Sequence, residues 1–291
     1  MTNTLSLRKL LGAMRGNPDI VSGLSGLAGR YDALICDIWG VLHNGVYAFP
    51  PAVDALRRFR AGHGKVVLLT NAPRPPQSIE PQLHAFGVPA DCYDAIVTSG
   101  SAARTELSRR QPLSLIHIGP ERDVALFEGL KVATAGPETA DLALCTGLFD
   151  DETETPEHYR ELLAKLRDRD LPMICANPDV IVQRGDKLIY CAGGIAHAYE
   201  KIGGRVEWYG KPHTPIYAAA LEAAGQPSRP LVIGDGPATD IKGANNMGFD
   251  TLFVMGGIHA ADISDRTPEG VAAFLTSRGV FAQAAVGTLS W

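Results

Sequence analysis

The chain has 291 residues, a length that suits one large α/β domain or two domains of ordinary size. Hydrophobic residues make up 45% of the sequence and charged residues 20%, proportions typical of a soluble protein with a buried core. The net charge of −5, the pI of about 5.9 and the lack of a lysine and arginine stripe argue against a nucleic-acid partner.

The first predicted element is an amphipathic helix over residues 5–27. The N-terminus has no apolar stretch long enough for a signal peptide, and no later segment reaches membrane-spanning length. The five cysteines are scattered, without a CxxC pair, and three lie inside apolar runs, which favours buried and reduced thiols. We therefore expect a cytoplasmic protein with no membrane partner.

Short apolar runs that end in polar residues or glycine recur along the chain. Runs of this kind are typical of strands buried on both faces of a parallel sheet. The predicted core strands are Ala33–Asp37, Val66–Thr70, Ala95–Ser99, Leu231–Asp235 and Thr251–Met255. The predicted helices between them are Ala52–Ala61, Gln77–Phe86, Pro215–Ala224, Asp240–Met247 and Pro268–Arg278. This alternation predicts an α/β fold with an open parallel-sheet, Rossmann-like core.

The middle of the chain has a pattern of its own. Its predicted strands are Leu113–Gly119, Leu142–Leu148, Met173–Ala176 and Lys187–Cys191, with a helix at about residues 156–169. We interpret this stretch as a second α/β unit inserted into the first. The predicted core comprises residues 1–100 and 207–291, and the predicted inserted cap, or lid, domain comprises residues 101–206.

Polar residues stand at the carboxyl ends of three predicted core strands. Asp37 ends the first strand, Thr70 the second and Asp235 the fourth, and Gly210-Lys211-Pro212 precedes a helix. In an open parallel sheet, ligands collect in the crevice beyond these strand ends. Each residue alone could cap a turn or a helix. Four such motifs at one edge of the sheet indicate a functional site.

The order of these motifs resembles the haloacid-dehalogenase-like (HAD) superfamily. The similarity is greatest to its class IIA members, of the nitrophenylphosphatase and ribonucleotide monophosphatase type, whose cap lies between the second and third motifs. It extends from about Tyr31 to Gly257, and the stretches TNAPRP and GDGPATDIKGANNMG are its most specific matches. Residues 176–179 (ANPD) and 193–194 (GG) resemble cap signatures of that class.

The resemblance implies a Mg²⁺-dependent enzyme that hydrolyses small phosphate esters. Asp37 would be the nucleophile and would form an aspartyl-phosphate, which splits one difficult displacement into two easier ones. A hard divalent cation with oxygen ligands would neutralise the charge of the phosphoryl group. Its implied ligands are Asp37, the backbone carbonyl of Trp39, and Asp235, with Asp240 acting through water or by orienting Lys211.

The resemblance also implies roles for residues around the phosphate. Lys211 would add positive charge, and Thr70 with the amide of Asn71 would donate hydrogen bonds to the phosphate. The inserted unit would be a lid that excludes water and recognises the leaving group of a small phosphorylated metabolite. An Asn-Pro-Asp sequence also suits a loop cap. Class IIA relatives often pair through the cap, so a homodimer is expected. The candidate substrate contacts on the lid are Asn177, Asp179 and Tyr190.

The chain departs from the family at Trp39, where most phosphatases of the superfamily carry an aspartate that acts as general acid and base. An indole cannot give up or accept a proton at working pH, and such catalysis is typically worth about 10²–10⁴ in rate. Three interpretations stay open. In the first, another group supplies the proton, and His43, six positions after Asp37, is the nearest candidate. In the second, the leaving group needs no acid, as in an acyl phosphate or phenolic ester. In the third, the protein binds a phosphorylated ligand with little turnover.

Other functions of open-sheet proteins lack their motifs in this sequence. A dinucleotide-dependent oxidoreductase would need G-x-G-x-x-G after the first strand, which instead continues DIWGVLHNG. The P-loop pattern GxxxxGK[ST] is absent, and the histidines lack the paired spacing of metal ligands. The sequence therefore predicts a metal-dependent phosphatase, with a phosphorylated-ligand-binding protein as the alternative.

Overall fold

The structure of the protein is a computed structural model that describes residues 16–184 and 187–291. Its strands are β1 (Asp19–Ile20), β2 (Ala33–Asp37), β3 (Lys65–Thr70), β4 (Ala95–Thr98), β5 (Leu113–Ile118), β6 (Val132–Thr134), β7 (Leu142–Cys145), β8 (Met173–Cys175), β9 (Ile181–Arg184), β10 (Lys187–Tyr190), β11 (Val206–Trp208), β12 (Pro230–Gly234), β13 (Asp250–Val254) and β14 (Ala284–Val286). Its α-helices are α1 (Ser25–Ala28), α2 (Pro50–Gly62), α3 (Glu80–Phe86), α4 (Ser99–Arg110), α5 (Arg160–Asp168), α6 (Ala192–Lys201), α7 (Thr214–Ala223), α8 (Lys242–Met247) and α9 (Pro268–Ser277).

The chain forms two compact units. Among the described residues, the first unit consists of 16–70, Glu80–Ile96 and Tyr217–Trp291, and the second consists of those within Asn71–Ile79 and Val97–Ile216. The second unit contains the whole stretch for which the sequence predicts an insertion and extends beyond it at both ends.

The larger sheet has seven strands in the order β1-β14-β13-β12-β2-β3-β4. The pairings from β1 through β3 are all parallel. All residues of β2 and β12 are buried, as continuous apolar runs require when helices cover both faces of a sheet. This sheet confirms the predicted open parallel core.

The second unit has its own parallel sheet, with strand order β11-β8-β7-β5-β6. Alternate residues of β7 point to opposite faces, so Leu142 and Leu144 pack in one apolar cluster while Ala143 and Cys145 pack in another. An antiparallel hairpin of β9 and β10 accompanies this sheet. The inserted unit is therefore α/β in architecture, as predicted.

Local sequence signals explain where two of the core helices begin. Helix α2 has proline at its first positions, where the missing N–H costs no hydrogen bond. Helix α9 is preceded by Thr267, whose hydroxyl accepts a hydrogen bond from the N–H of Gly270 at 3.2 Å, and Pro268 follows directly. Helix α9 begins at its predicted first residue, and α2 begins two residues before its predicted start.

The predicted helix over residues 5–27 is wrong in its described part, and residues 1–15 lie outside the described residues. Asp19–Ile20 instead forms β1, which pairs in parallel with β14, and only Ser25–Ala28 is helical. Pro18 disfavours helical geometry in the residue before it, and the pairing partner comes from the other end of the chain.

Two further predictions concern the interior and the membrane. All five cysteines are buried, as predicted. Within residues 16–184 and 187–291, no helix combines the length and the apolar character needed to cross a bilayer.

Candidate active site

Three neighbouring strands of the larger sheet end beside the residues that the sequence singles out. Strand β2 pairs with β3 so that Asp37 faces Leu69, and Thr70 follows as the last residue of β3. On the other side of β2, the parallel strand β12 ends one residue before Asp235. Because the strands are parallel, their carboxyl ends meet at one edge of the sheet. Both aspartates and Thr70 are buried there.

Asp37, Asp235 and Asp240 form a compact group of buried carboxylates. One oxygen from each side chain lies within 4.8 Å of those of the other two. Carboxylates at this separation repel one another and favour a positive charge between them. An all-oxygen donor set suits a hard divalent cation such as Mg²⁺ or Ca²⁺. The three residues therefore fit a divalent metal ion.

The carboxylate of Asp235 is enclosed by two loops. The N–H of Ile258 donates a hydrogen bond to its Oδ2 at 2.7 Å. A Cβ atom added at Gly40 or at Gly257 would overlap that same carboxylate. Gly40 also has φ of +77°, a conformation that L residues rarely adopt. These contacts hold Asp235 in one orientation.

Asp240 lies in the π-helical turn that follows β12. Its Oδ2 accepts hydrogen bonds from the N–H of Gly236 at 3.1 Å and from the hydroxyl of Thr239 at 3.2 Å. The hydroxyl of Tyr217 donates to the backbone carbonyl of Asp240 at 3.1 Å. Both the side chain and the backbone of Asp240 are thus fixed. π-Helical turns frequently occur at functional sites.

Trp39 places a large, partly exposed ring in the loop that follows β2. The residue is 44% exposed, and its indole meets the imidazole of His43 edge to face, with ring centroids 5.1 Å apart. Gly45 has φ of +88°, and a Cβ atom there would overlap the indole. The loop is therefore shaped around the tryptophan ring.

His43 is buried inside the same loop. The N–H of Gly45 donates to its Nδ1 at 3.0 Å, and its ring meets that of Phe86 with centroids 4.9 Å apart. Burial lowers the pKa of His43 to about 4, so the imidazole is neutral near pH 7. These contacts give His43 a role in supporting the loop.

In the second unit, the structure brings together three of the predicted site residues. The side-chain amide of Asn71 donates to Oδ1 of Asp179 at 2.9 Å and to the backbone carbonyl of Lys211 at 3.2 Å. Its Oδ1 accepts from the N–H of Lys211 at 2.7 Å. Asn177 caps its own loop, because its Oδ1 accepts from the N–H of Asp179 at 3.1 Å. Tyr190 lies on β10 opposite Ile181, with an exposed side chain.

Sequence reasoning missed several residues that support the site. Gly40, Gly257 and the N–H of Ile258 position Asp235, and Tyr217 positions Asp240. The Gly256-Gly257 pair at the end of β13 was the available signal, because glycines at a strand end often mark a close approach of backbone.

Comparisons with known proteins identify the family. Residues 34–133 match a model described as haloacid dehalogenase-like hydrolase, and residues 208–277 match a HAD-hydrolase-like model. A crystal structure of a haloacid dehalogenase-like hydrolase from Brucella suis 1330 is 43% identical, covers 93% of this chain and 100% of its own, and superimposes with a TM-score of 0.80. The chain belongs to the haloacid dehalogenase-like hydrolase family. Its predicted fold and its class IIA membership are confirmed.

Two curated HAD-like relatives carry more specific names. The 5'-nucleotidase YutF of Bacillus subtilis is 27% identical over 233 residues, which are 78% of this chain and 88% of the relative. The ribonucleotide monophosphatase NagD of Escherichia coli K12 is 26% identical over 241 residues, 81% of this chain and 92% of the relative. Both names describe phosphate-ester hydrolysis by those relatives.

Proposed function

We propose that this HAD-like protein is a phosphatase that hydrolyses small phosphate esters with Asp37 as its nucleophile and Mg²⁺ as its metal. The observation that carries the proposal is the group of three buried carboxylates, with oxygens within 4.8 Å of one another, at the carboxyl edge of the sheet. The names of the HAD relatives support a phosphatase. A binding protein would gain nothing from a nucleophile placed beside a metal site.

Asp37, Asp235, Asp240 and the backbone carbonyl of Trp39 would hold the metal ion. When bound, the ion offsets the negative charge of the phosphoryl group and of the carboxylates around it. A carboxylate oxygen of Asp37 attacks phosphorus, and the bond from phosphorus to the leaving-group oxygen breaks. The products of this step are an aspartyl-phosphate and an anionic leaving group. Water then attacks phosphorus, which frees the Asp37 carboxylate and inorganic phosphate, and the proton of the water passes to solvent.

Three further residues complete the proposed machinery. The ammonium group of Lys211 adds positive charge opposite the phosphate. The hydroxyl of Thr70 and the backbone N–H of Asn71 donate hydrogen bonds to the phosphate oxygens. These assignments follow the family resemblance, and each can be tested by substituting the residue.

We propose that the preferred substrates have leaving groups that are stable without a proton, such as phenolic esters and acyl phosphates. By the family resemblance Trp39 takes the position of the acid, and its partly exposed indole neither gives up nor accepts a proton at working pH. His43 is a poor replacement, because its ring is buried and its Nδ1 already accepts a hydrogen bond from Gly45. The alternative, a ligand-binding protein with little turnover, predicts no preference of rate among leaving groups.

We propose that residues 101–206 act as a lid that recognises the leaving group, with Tyr190 as a candidate contact. Exposed aromatic side chains are well suited to stack on planar ligands. We expect the enzyme in the cytoplasm, because five buried cysteines suit a reducing compartment. A homodimer that pairs through the cap stays a prediction.

The test compares release of p-nitrophenol from p-nitrophenyl phosphate by wild type, Asp37→Asn and Asp54→Asn, with and without Mg²⁺. Asp54 is an exposed partner of Arg58 on α2 and serves as the matched control, because such surface pairs contribute little. We expect Mg²⁺-dependent release by wild type and Asp54→Asn, none by Asp37→Asn, and inhibition when Ca²⁺ replaces Mg²⁺. Equal activity of Asp37→Asn and wild type would refute the nucleophile. Tight binding of phosphate esters without release would favour the binding protein.

A further inference from the structure

We propose that Asp179 is a positioning residue, which holds Lys211 through Asn71, and not a contact for the substrate. The inference rests on the proposed function, because that function gives Lys211 its role. All residues involved belong to the second unit. The positioning role also accounts for the ANPD and GG motifs, to which the proposed chemical steps assign no function.

The side chain of Asn71 binds both polar backbone groups of Lys211. Its Oδ1 accepts from the N–H of Lys211 at 2.7 Å, and its Nδ2 donates to the carbonyl of Lys211 at 3.2 Å. Both residues are buried. A buried amide that pairs with the donor and the acceptor of one residue fixes the orientation of that residue's backbone. The direction in which the Lys211 side chain leaves the backbone is fixed with it.

The arrangement holds only while the amide of Asn71 keeps one of its two orientations. A rotation of 180° would bring Oδ1 against the carbonyl of Lys211 and Nδ2 against its N–H, so that both hydrogen bonds would be lost. Asp179 selects between the two orientations. Its Oδ1 lies 2.9 Å from Nδ2 of Asn71, and a carboxylate accepts hydrogen bonds from an NH₂ group but repels a carbonyl oxygen. One NH₂ hydrogen then serves Asp179 and the other serves Lys211.

Asp179 is in turn held by its backbone. Its N–H donates to Oδ1 of Asn177 at 3.1 Å, and its carbonyl accepts from the N–H of Gly193 at 3.1 Å, at the start of α6. A Cβ atom at Gly193 would overlap the carbonyls of Pro178 and Asp179. The first glycine of the GG motif thus lets the helix approach the ANPD loop.

The same loop also contacts the residue before the lysine. A Cβ atom at Gly210 would overlap the ring of Pro178, and Gly210 has φ of +140°. Pro178 therefore limits where Gly210 can lie, while Asp179 orients the amide that holds Lys211. The Asn-Pro-Asp loop supports this lysine from two sides.

The experiment uses two substrates with very different leaving groups, p-nitrophenyl phosphate and acetyl phosphate, and the variants Asp179→Ala and Asp179→Asn. Asp168→Ala, an exposed position in the same unit, is the matched control. We expect Asp179→Ala to lower kcat by about 10–100-fold for both substrates, because a displaced catalytic group costs rate in this range, with KM changed little. Asp179→Asn, which can still present an oxygen to Asn71, should recover most of the activity.

The results separate positioning from substrate contact. A loss that appears with p-nitrophenyl phosphate but not with acetyl phosphate, or one that lies mainly in KM, would mean that Asp179 touches the leaving group and would overturn the proposal. Full activity of Asp179→Ala would overturn it as well. If circular dichroism shows that Asp179→Ala does not fold, the variant Asn71→Asp is measured in its place. This variant has an oxygen in place of Nδ2, and kcat should fall equally for both substrates.

A Lys211→Ala variant distinguishes this inference from the proposed function. If Lys211→Ala is inactive while Asp179→Ala matches wild type, only the positioning role fails. If Lys211→Ala is fully active, the role of the lysine in the proposed function fails first. If both single variants lose activity, the double variant should retain the same residual activity as Lys211→Ala. The two losses are not additive, because the two residues act as one unit.

Discussion

Gly45 lies so close to Trp39 that any side chain at residue 45 would overlap the indole. The ring therefore occupies a place that the backbone of its own loop has left open. His43 is buried and packs against the ring, and its Nδ1 accepts a hydrogen bond from the N–H of Gly45. Trp39 is thus built into the loop, and its indole gives the loop an apolar surface that is partly exposed.

The close approach of Gly45 to the indole predicts that Gly45→Ala destabilises the protein more than a glycine-to-alanine substitution at similar φ with open space around it. Gly87→Ala is the matched control, because Gly87 has nearly the same φ, +91° against +88°, and open space around its Cβ position. Both should lose about 1–2 kcal/mol from the unfavourable backbone conformation, and Gly45→Ala should lose more because the indole must move. Urea unfolding measures both. Equal losses would show that the indole adapts without cost.

Trp39→Asp tests whether the missing acid limits turnover. We expect the ratio of kcat for glycerol phosphate to kcat for p-nitrophenyl phosphate to rise by at least about tenfold, because only the alkyl leaving group needs a proton. Trp39→Asn is the control, since it loses the indole equally without gaining a carboxyl group. If both variants, or neither, raise the ratio, proton transfer does not depend on this position.

Gly257→Ala should weaken the metal site without removing a ligand. The added methyl would overlap the carboxylate of Asp235 and turn it. Disturbing the support of a metal ligand typically costs about 10–100-fold in metal affinity, so the Mg²⁺ concentration for half-maximal activity should rise by that factor. Gly287→Ala, where a Cβ meets open space, should leave the Mg²⁺ dependence unchanged. An unaltered dependence in Gly257→Ala would argue against Asp235 as a ligand.

Asp235→Asn should separate metal binding from stability. We expect Mg²⁺ to raise the Tm of wild type, because a ligand of the folded state stabilises it, and to leave the Tm of the variant almost unchanged. Without metal, the variant should be no less stable than wild type, since one of three mutually repelling carboxylates is gone. Thermal unfolding with and without Mg²⁺ is the measurement. A shift of equal size in both proteins would contradict the assigned site.

The sequence predicted the central strands well because burial on both faces leaves an unbroken apolar signal. Strand β2 was predicted with its observed bounds, and β3, β12 and β13 within one residue at each end. Strands β1 and β14, at one side of the sheet, were missed, because each is only two or three residues long and their pairing joins distant parts of the chain.

Helix α4 was missed for a different reason. Its sequence, SGSAARTELSRR, is largely polar and has no clear apolar stripe. A signal was nevertheless present at its start, because Thr98 and Ser101 form a capping box: the hydroxyl of Thr98 accepts from the N–H of Ser101 at 2.8 Å, and that of Ser101 accepts from the N–H of Thr98 at 3.0 Å. Capping signals need an apolar run beside them to be convincing, and this one has none.

For the candidate site, sequence reasoning identified residue types but not partners. Asp37 and Asp235 could be placed at one edge, because parallel strands end together. The link from Asn71 to Asp179 and Lys211 spans 108 and 140 residues, so no local pattern contains it. The sequence predicts Asp179 only as a candidate substrate contact, and its hydrogen bond with Asn71 is visible only in the structure.

The parallel register of β2 with β12 has a consequence for mutational tolerance. Main-chain hydrogen bonds, which form whatever the side chains are, set the spacing between the end of β2 at Asp37 and the end of β12 just before Asp235. Apolar exchanges inside β2 or β12 that keep volume should therefore lower stability while sparing turnover. A library of such variants should lose soluble expression before it loses specific activity.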